Sequence, residues 1–451
     1  MKKILITIIN EAHLETALRI IQLSKKRNEN IIYSLLIQDN YINYGVKSKI
    51  DSNIDCYNLP RLHGKNNMWL DPLAIELNYS TIYKYIKNLL KNKKFDLVIM
   101  TQYDRGHFEF AILKLCNKIG ILTLLLQEGL IFKKKELELI NIISEINSNK
   151  FNIKNSLLSL LNLIKSKPIR EALIYYYFIV RYKSISLKEF GFNGANFIAS
   201  LSSYYSDILV FKGFEQNNIR PIGLCRFDKI NELTSLAENL NKNLFVSNMP
   251  LTILCPQSGG KQFGPGFDNI INELNALNSI NDYFEGNHFK LIYRLKNGER
   301  IDEYKDLIKI FPNIIFEDGN NVDPIDSILN AQIIISGPTT MLLEGIKLGK
   351  FGILYDSSKD DLYGYCQSGA CLLADNTFAL INCIKRILTS EKDRDSLIKN
   401  AQLFVLERAM MDGGATKRTL NFIKDILISQ NQKTLTKTKK FCQKIETILN
   451  I

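Results

Sequence analysis

Residues 331–356 read AQIIISGPTTMLLEGIKLGKFGILYD. Three isoleucines in a row, Ile333 to Ile335, form an unbroken β-branched run, the signature of a strand buried on both faces. Ser336-Gly337-Pro338 ends it, two threonines follow, and a helix opens at once over 341–348. Leu348-Gly349-Lys350 closes that helix and Phe351–Tyr355 reads as the next strand. Strand, short turn, helix, strand is the unit of a parallel sheet.

The turn also carries chemistry. Small residues let backbone amides approach a ligand, and the unpaired N–H groups of a helix start favour a phosphate. Ser336, Gly337, Thr339 and Thr340 are therefore candidate phosphate-binding residues. Glu344 lies one turn past Thr340 on the same helical face, where a carboxylate can accept from a pair of ribose hydroxyls. The plainer alternative is that 336–340 only cap a helix and Glu344 lies at the surface.

The same alternation extends outward. Toward the C-terminal side of 249 it runs through strands at 251–255, 289–294, 314–316 and 331–336, with helices at 267–277, 302–310 and 324–329 between them. The N-terminal third repeats it: strands at 3–9, 31–37, 96–101 and 122–127, helices at 15–26, 79–90 and 108–119, and strands again at 197–201 and 219–221. The expected fold is thus α/β, two Rossmann-like doubly wound domains facing a cleft, with ligands at the carboxyl ends of the strands. Residues 1–238 form the first domain, interrupted by a helical insertion over about 132–187. A polar stretch at 239–248 links it to the second, 249–425, and 426–451 is a basic helical tail.

The chain has 451 residues, 46% of them hydrophobic and 23% charged, ample for two cores and incompatible with disorder. The formal net charge is +12, concentrated in two segments. Residues 133–190 hold 11 basic against 5 acidic side chains and 424–451 hold 6 against 2. Such a distribution either faces something anionic or is a solvated basic face. The apolar stretches 157–164 and 172–180, flanked by Lys165, Lys167, Arg170, Arg181 and Lys183, suit a helix lying on an anionic membrane surface or one packed on protein. Neither is long enough to span a bilayer. The six-residue apolar run near the N-terminus is too short for a signal peptide, so a cytoplasmic protein is expected, peripheral at most at the inner face of a membrane. The 8 cysteines and 4 histidines show no metal-binding or disulfide spacing, so no metal and no cofactor is expected. Nucleic acid is not an expected partner, because the basic residues sit in helical insertions outside any nucleic-acid motif.

The 331–356 segment resembles the nucleotide-binding segment of GT-B glycosyltransferases and their relatives: strand, Ser/Gly/Thr turn, Glu in the following helix, Leu-Gly-Lys, strand. Phe351 stands where the usual residue is Pro. Asp412-Gly413-Gly414-Ala415-Thr416-Lys417-Arg418 resembles the motif of their last helices, and IGLCRFDKI at 222–230 resembles the G-x-P-R-x-D segment of surface-polysaccharide transferases, with Cys225 in place of Pro. Gln127-Glu128-Gly129-Leu130 resembles a loop carrying a carboxylate beneath the cleft, shared with the nucleotide-sugar 2-epimerases. Those epimerases also need a His-rich loop after the first strand of the second domain, and residues 255–261 (CPQSGGK) contain no histidine. The His-Pro of polyol-phosphate polymerases is replaced by Tyr293-Arg294-Leu295-Lys296.

The resemblance implies a metal-independent glycosyltransferase that moves a sugar from a nucleotide-sugar donor to a surface-glycan or lipid-linked acceptor. A polyol-phosphate transferase, an epimerase relative and a silent nucleotide-sugar or glycan-binding subunit are the alternatives. Transfer needs a base for the acceptor hydroxyl and positive groups for the leaving diphosphate. Candidate bases are Glu128, Asp104 and His107 at first-domain strand ends; each could instead serve structure, as a loop anchor, an ion pair with Arg105 or a helix start. Ser258, Gly259 and Lys261 in a Gly-rich loop, with Arg294 and Lys296 after the next strand, are candidate donor ligands. Glu11 and His13 follow the first strand and either contact the acceptor or begin a helix.

Overall fold

The computed structural model describes residues 1–38, 50–60, 72–100, 108–127, 195–211, 213–241, 250–257, 266–284, 289–296, 299–337, 339–356, 361 and 363–429. The insertion at 132–187 and the tail beyond 429 lie outside these residues, as do Asp104, His107, Glu128, Ser258, Gly259 and Lys261.

The first strand, β1 (Lys2–Ile8), is buried over its last five residues. Its side chains divide by parity, as a strand's must. Ile4, Ile6 and Ile8 join one apolar cluster, and Leu5 joins another on the opposite face. A strand covered on both sides belongs inside a parallel sheet. In chain order follow α1 (Glu11–Lys26), β2 (Ile31–Ile37), β3 (Asp55–Asn58), α2 (Pro72–Lys93), β4 (Leu97–Met100), α3 (Phe108–Ile119), β5 (Leu122–Leu126), β6 (Phe197–Ser200), α4 (Ser203–Phe211), β7 (Ile219–Pro221), α5 (Phe227–Glu232) and α6 (Thr234–Asn241). All pairings in this sheet are parallel, in the order β3-β2-β1-β4-β5-β6-β7.

The second sheet repeats the scheme. It uses β8 (Leu251–Pro256), α7 (Gly266–Tyr283), β9 (Phe289–Arg294), α8 (Lys305–Ile310), β10 (Ile314–Glu317), α9 (Pro324–Asn330), β11 (Ile333–Ser336), α10 (Thr340–Lys347), β12 (Phe351–Tyr355), β13 (Cys371–Ala374), α11 (Thr377–Thr389) and α12 (Glu391–Ala409). The order is β10-β9-β8-β11-β12-β13, again wholly parallel. Parity sorts this sheet as well: Ile333 and Ile335 of β11 join one cluster and Ile334 the other. The two expected Rossmann-like domains are present. Each sheet reverses its winding direction once, between β1 and β4 and between β8 and β11, and in open α/β sheets ligands bind at such points.

One apolar cluster is common to both units. It includes Leu5 and Val98 under the first sheet, Leu254 and Ile334 under the second, and Phe227, Ile230, Leu342 and Phe404 between them. Helix α5 touches α10, and α4 touches α12. Beyond α12 a helix over 415–429 returns to the first sheet. Its Phe422, Ile423, Ile426 and Leu427 are buried with Ile4, Ile6 and Ile20. The crossing helix requires a close approach at Gly223, whose φ is +80°. A Cβ there would lie 3.1 Å from the Cβ of Ala415 and 3.2 Å from the Met410 carbonyl. Any other residue would be strained as well as crowded.

Several elements differ from the sequence expectation. Strands β3 and β13 and helices α4, α5, α6 and α11 were not expected, and α6 runs into the start of the 239–248 stretch read as a linker; α1, α2 and α7 are longer than expected, and the 302–310 helix begins as a 3-10 turn over Ile301–Tyr304.

Candidate functional site

The turn after β11 is built as a cap. Thr339 is the N-cap of α10 and its side chain accepts from the Leu342 amide at 3.3 Å. The Ser336 hydroxyl lies 3.1 Å from the Thr339 hydroxyl, and Tyr365 donates to the Thr339 carbonyl at 3.2 Å. Ser336 and Gly337 are buried, whereas Thr339 and Thr340 are partly exposed. The cap leaves the first amides of α10 directed out of the strand end, with the helix dipole behind them.

Glu344 is not a surface residue: it is 4% exposed. Gly345 allows this burial, because its α-carbon lies against β11. A Cβ there would stand 2.1 Å from the Ile334 Cδ1. The Glu344 carboxylate accepts from the Arg226 guanidinium at 2.5 Å, a contact between a residue preceding α5 and one on α10. Burial pushes the Glu344 carboxyl above its ordinary value, and Arg226 pulls it back. Arg226 stacks on the Phe227 ring, 4.6 Å from its centroid. A second bridge runs beside the first, from Lys229 to Asp323 at 3.1 Å. Asp323 is itself the N-cap of α9, accepting from the Ile325 amide.

From the first sheet, α1 reaches toward the same place. Its N-cap Asn10 accepts from the His13 amide at 3.0 Å, and the Asn10 side-chain nitrogen lies 3.3 Å from the His13 Nε2. His13 is 2% exposed. Burial, reinforced by the nearby Arg226 charge, lowers its pKa to about 3. It is therefore a neutral imidazole at physiological pH. Close by at the same strand ends, Thr7 of β1 donates to buried Glu109 on α3 at 2.7 Å. Gln127, from the QEGL string, is buried and accepts from the Leu201 amide at 3.0 Å, fixing the end of β6. Glu11 is partly exposed on the first turn of α1.

The strand ends of the second sheet carry a buried polar group. Gln257 donates to Glu299 at 3.1 Å and lies 3.1 Å from the Tyr304 hydroxyl, which donates to Glu299. Its own oxygen accepts from the Lys296 amide. Lys296 has its pKa lowered by burial, against the pull of Glu299 and Glu273. Arg294 is 2% exposed. It binds Glu317 at 2.5 Å, the Ser327 hydroxyl at 2.9 Å and the Val322 carbonyl at 2.8 Å. It thus braces the loop that ends in Asp323. Lys350, also buried, donates to the Leu329 carbonyl at the end of α9, and burial draws its pKa down to about 8.

The structure brings Glu344 of one domain and His13 of the other to the same guanidinium, Arg226; Ser336, Gly337, Thr339 and Thr340 lie at the turn that opens the Glu344 helix, and Glu11 lies on the first turn of α1. Arg294 and Lys296 belong to a neighbouring network in the second domain. Sequence reasoning assigned no role to Arg226, Lys229, Gln257, Glu109 or Asp323. Arg226 was within reach, because it sits inside the IGLCRFDKI string, three residues after the positive-φ Gly223.

No protein-family model and no curated protein matches the sequence. Solved structures match at the level of the fold. A UDP-N-acetylglucosamine 2-epimerase from Neisseria meningitidis bound to UDP-GlcNAc is 13% identical with a TM-score of 0.60, over 94% of this chain and 100% of that one. A putative UDP-N-acetylglucosamine 2-epimerase from Listeria monocytogenes is 14% identical with a TM-score of 0.60, over 94% and 96%. The glycosyltransferase of kitacinnamycin is 11% identical with a TM-score of 0.58, over 94% and 98%. These structures share the fold of this chain, two Rossmann-like domains, across nearly its whole length.

Proposed function

We propose that the chain is a glycosyltransferase whose second domain, 249–425, binds a nucleotide-sugar donor and whose first domain, 1–238, presents a surface-glycan or lipid-linked acceptor. The observation that carries the reading is the buried Glu344 carboxylate on the helix that opens directly after β11, at the point where the second sheet reverses. A carboxylate there would accept from a ribose diol, and the amides of a helix start favour phosphate, which supports the reading. Two of the structural neighbours were solved with nucleotide sugar bound, which agrees with such a ligand. Transfer is favoured over 2-epimerisation because residues 255–261 supply no histidine. Glu128, Asp104 and His107 are the proposed bases, and Glu11 and His13 the proposed acceptor contacts. Ser258, Gly259, Lys261 and Lys296 complete the proposed donor set. The basic insertion and tail would hold the protein at an anionic membrane surface.

The experiment is a thermal-shift screen of UDP, CMP and GDP sugars, followed by assays of nucleotide release, transfer and 2-epimerisation with any sugar that binds. Glu344→Ala is expected to weaken nucleotide binding by about 1–3 kcal/mol by leaving ribose hydroxyls unpaired. Unchanged affinity removes the assignment of the nucleotide site. Binding without turnover would make the chain a carrier or scaffold subunit, and a 2-epimerised product would make it an epimerase.

A further inference from the structure

The Arg226–Glu344 pair is the most buried ionic contact between the two domains among the described residues, with side-chain exposures of 16% and 5%. Its two ends are unlike in setting. Glu344 is fixed on α10, inside the turn-and-helix unit read above as the nucleotide site. Arg226 precedes α5 at the N-terminal side of a helix only six residues long. Next to it stands His13, a buried neutral imidazole whose Nδ1 makes no hydrogen bond. A guanidinium is the side chain best suited to grip a diphosphate in two-pronged fashion. Here it occupies the carboxylate that a ribose would need.

We propose that Arg226 is a ligand-exchange residue: without ligand it is held by Glu344, and on binding of a nucleoside diphosphate the ribose hydroxyls take Glu344 while Arg226 transfers to the diphosphate. This rests on the reading of Glu344 as a ribose ligand. Separating a buried ion pair with no replacement partner is costly. A nucleoside alone would leave Arg226 without its carboxylate, whereas a nucleoside diphosphate supplies a new anion at the moment the old one is withdrawn. The exchange therefore makes the site discriminate against unphosphorylated nucleosides more strongly than phosphate contacts alone would. It also couples donor binding to the contact between the domains, because Arg226 belongs to one and Glu344 to the other.

The test is calorimetric titration of paired ligands, UDP with uridine, GDP with guanosine and CDP with cytidine, against the full chain. The pair that the wild-type protein binds is then titrated into Arg226→Met, Arg226→Lys, Lys229→Met and Glu344→Gln, each checked for fold by circular dichroism and thermal melting. In Arg226→Met the nucleoside is expected to bind several-fold more tightly and the phosphorylated ligand roughly tenfold more weakly, effects of opposite sign. Arg226→Lys should fall between, and it serves in place of Arg226→Met if that variant does not fold. If both ligands shift in the same direction, or neither moves, in a folded Arg226 variant, the exchange is overturned. It is also overturned if Lys229→Met, which breaks only the neighbouring bridge, reproduces the effect. Glu344→Gln separates the two ideas. Should it weaken both ligands while the Arg226 variants show no opposed shift, the nucleotide site stands and the exchange fails. Should Glu344→Gln change neither ligand, or should the wild type bind none of them, the nucleotide reading fails and the exchange with it.

Discussion

Asp228 and Ala415 stand 187 residues apart in the chain, and a 3.0 Å hydrogen bond from the Ala415 amide to the Asp228 carboxylate joins them. The other carboxylate oxygen takes the Thr416 amide at 2.8 Å. Asp228 therefore caps the helix that crosses back to the first sheet, supplying negative charge where the helix N-terminus is positive. Arg418 secures the same junction by donating to the Ile222 carbonyl at 2.9 Å and pairing with Asp412 at 2.7 Å. The IGLCRFDKI and DGGATKR strings are thus two halves of one joint. Within the first string the labour divides: Asp228 ties the returning helix to the first domain, and Arg226 pairs with Glu344 across the domains.

Asp228→Ala should then cost about 1–3 kcal/mol of stability, since it removes a buried cap and leaves two amides unsatisfied. Urea unfolding of the variant against the wild type measures it. A loss below about 0.5 kcal/mol, the range of ordinary surface changes, would show that the joint is not what holds the returning helix.

Gly345 should resist even the smallest side chain. Its Cβ would meet the Ile334 Cδ1 at 2.1 Å, so Gly345→Ala is expected to destabilise the protein by about 1–3 kcal/mol through overpacking. Ile334→Val removes the offending methyl, and the double variant should recover most of the loss. Thermal melting of the four proteins closes the cycle. Lack of recovery would place the strain elsewhere than between β11 and α10.

Most of the two sheets was legible because buried parallel strands are written as local runs. Ile31–Ile37, Phe289–Arg294, Ile219–Pro221 and Phe351–Tyr355 have the predicted bounds. Strand β3, with the sequence DCYN and mostly exposed, carries no such run, and only its pairing with β2 makes it a strand. The 331–340 turn was legible as a strand-to-helix cap. What the turn faces was not, since the partner of Glu344 is 118 residues away. The same holds for Arg294. Its sequence context suggests an open positive charge, yet its guanidinium is occupied by Glu317, Ser327 and the loop carbonyls. No local pattern announces a contact made through folding at that range.

Glu128 and Asp104 should matter for turnover more than for donor affinity, because both belong to the domain opposite the proposed nucleotide site. Glu128→Gln and Asp104→Asn keep shape while removing a base. At least one is expected to lower kcat by about 100-fold or more with nucleotide affinity unchanged. Near-normal transfer in both would pass the role of base to His107.

His13 gives the protein a stability that depends on pH. Burial, aided by Arg226, lowers its pKa from an ordinary 6.5 to about 3 in the folded chain. Between these values the unfolded chain binds a proton that the folded chain refuses, so stability rises with pH through this window and is complete above 6.5. At pH 5 the cost of keeping the imidazole neutral is about 2 kcal/mol. Urea unfolding at pH 7.5 and pH 5 should accordingly show the wild type losing about 2 kcal/mol more than His13→Gln, which has no proton to take up. Carboxylates common to both proteins cancel in the comparison. Equal losses would mean that the imidazole is not held neutral beside Arg226, and that the first turn of α1 admits water.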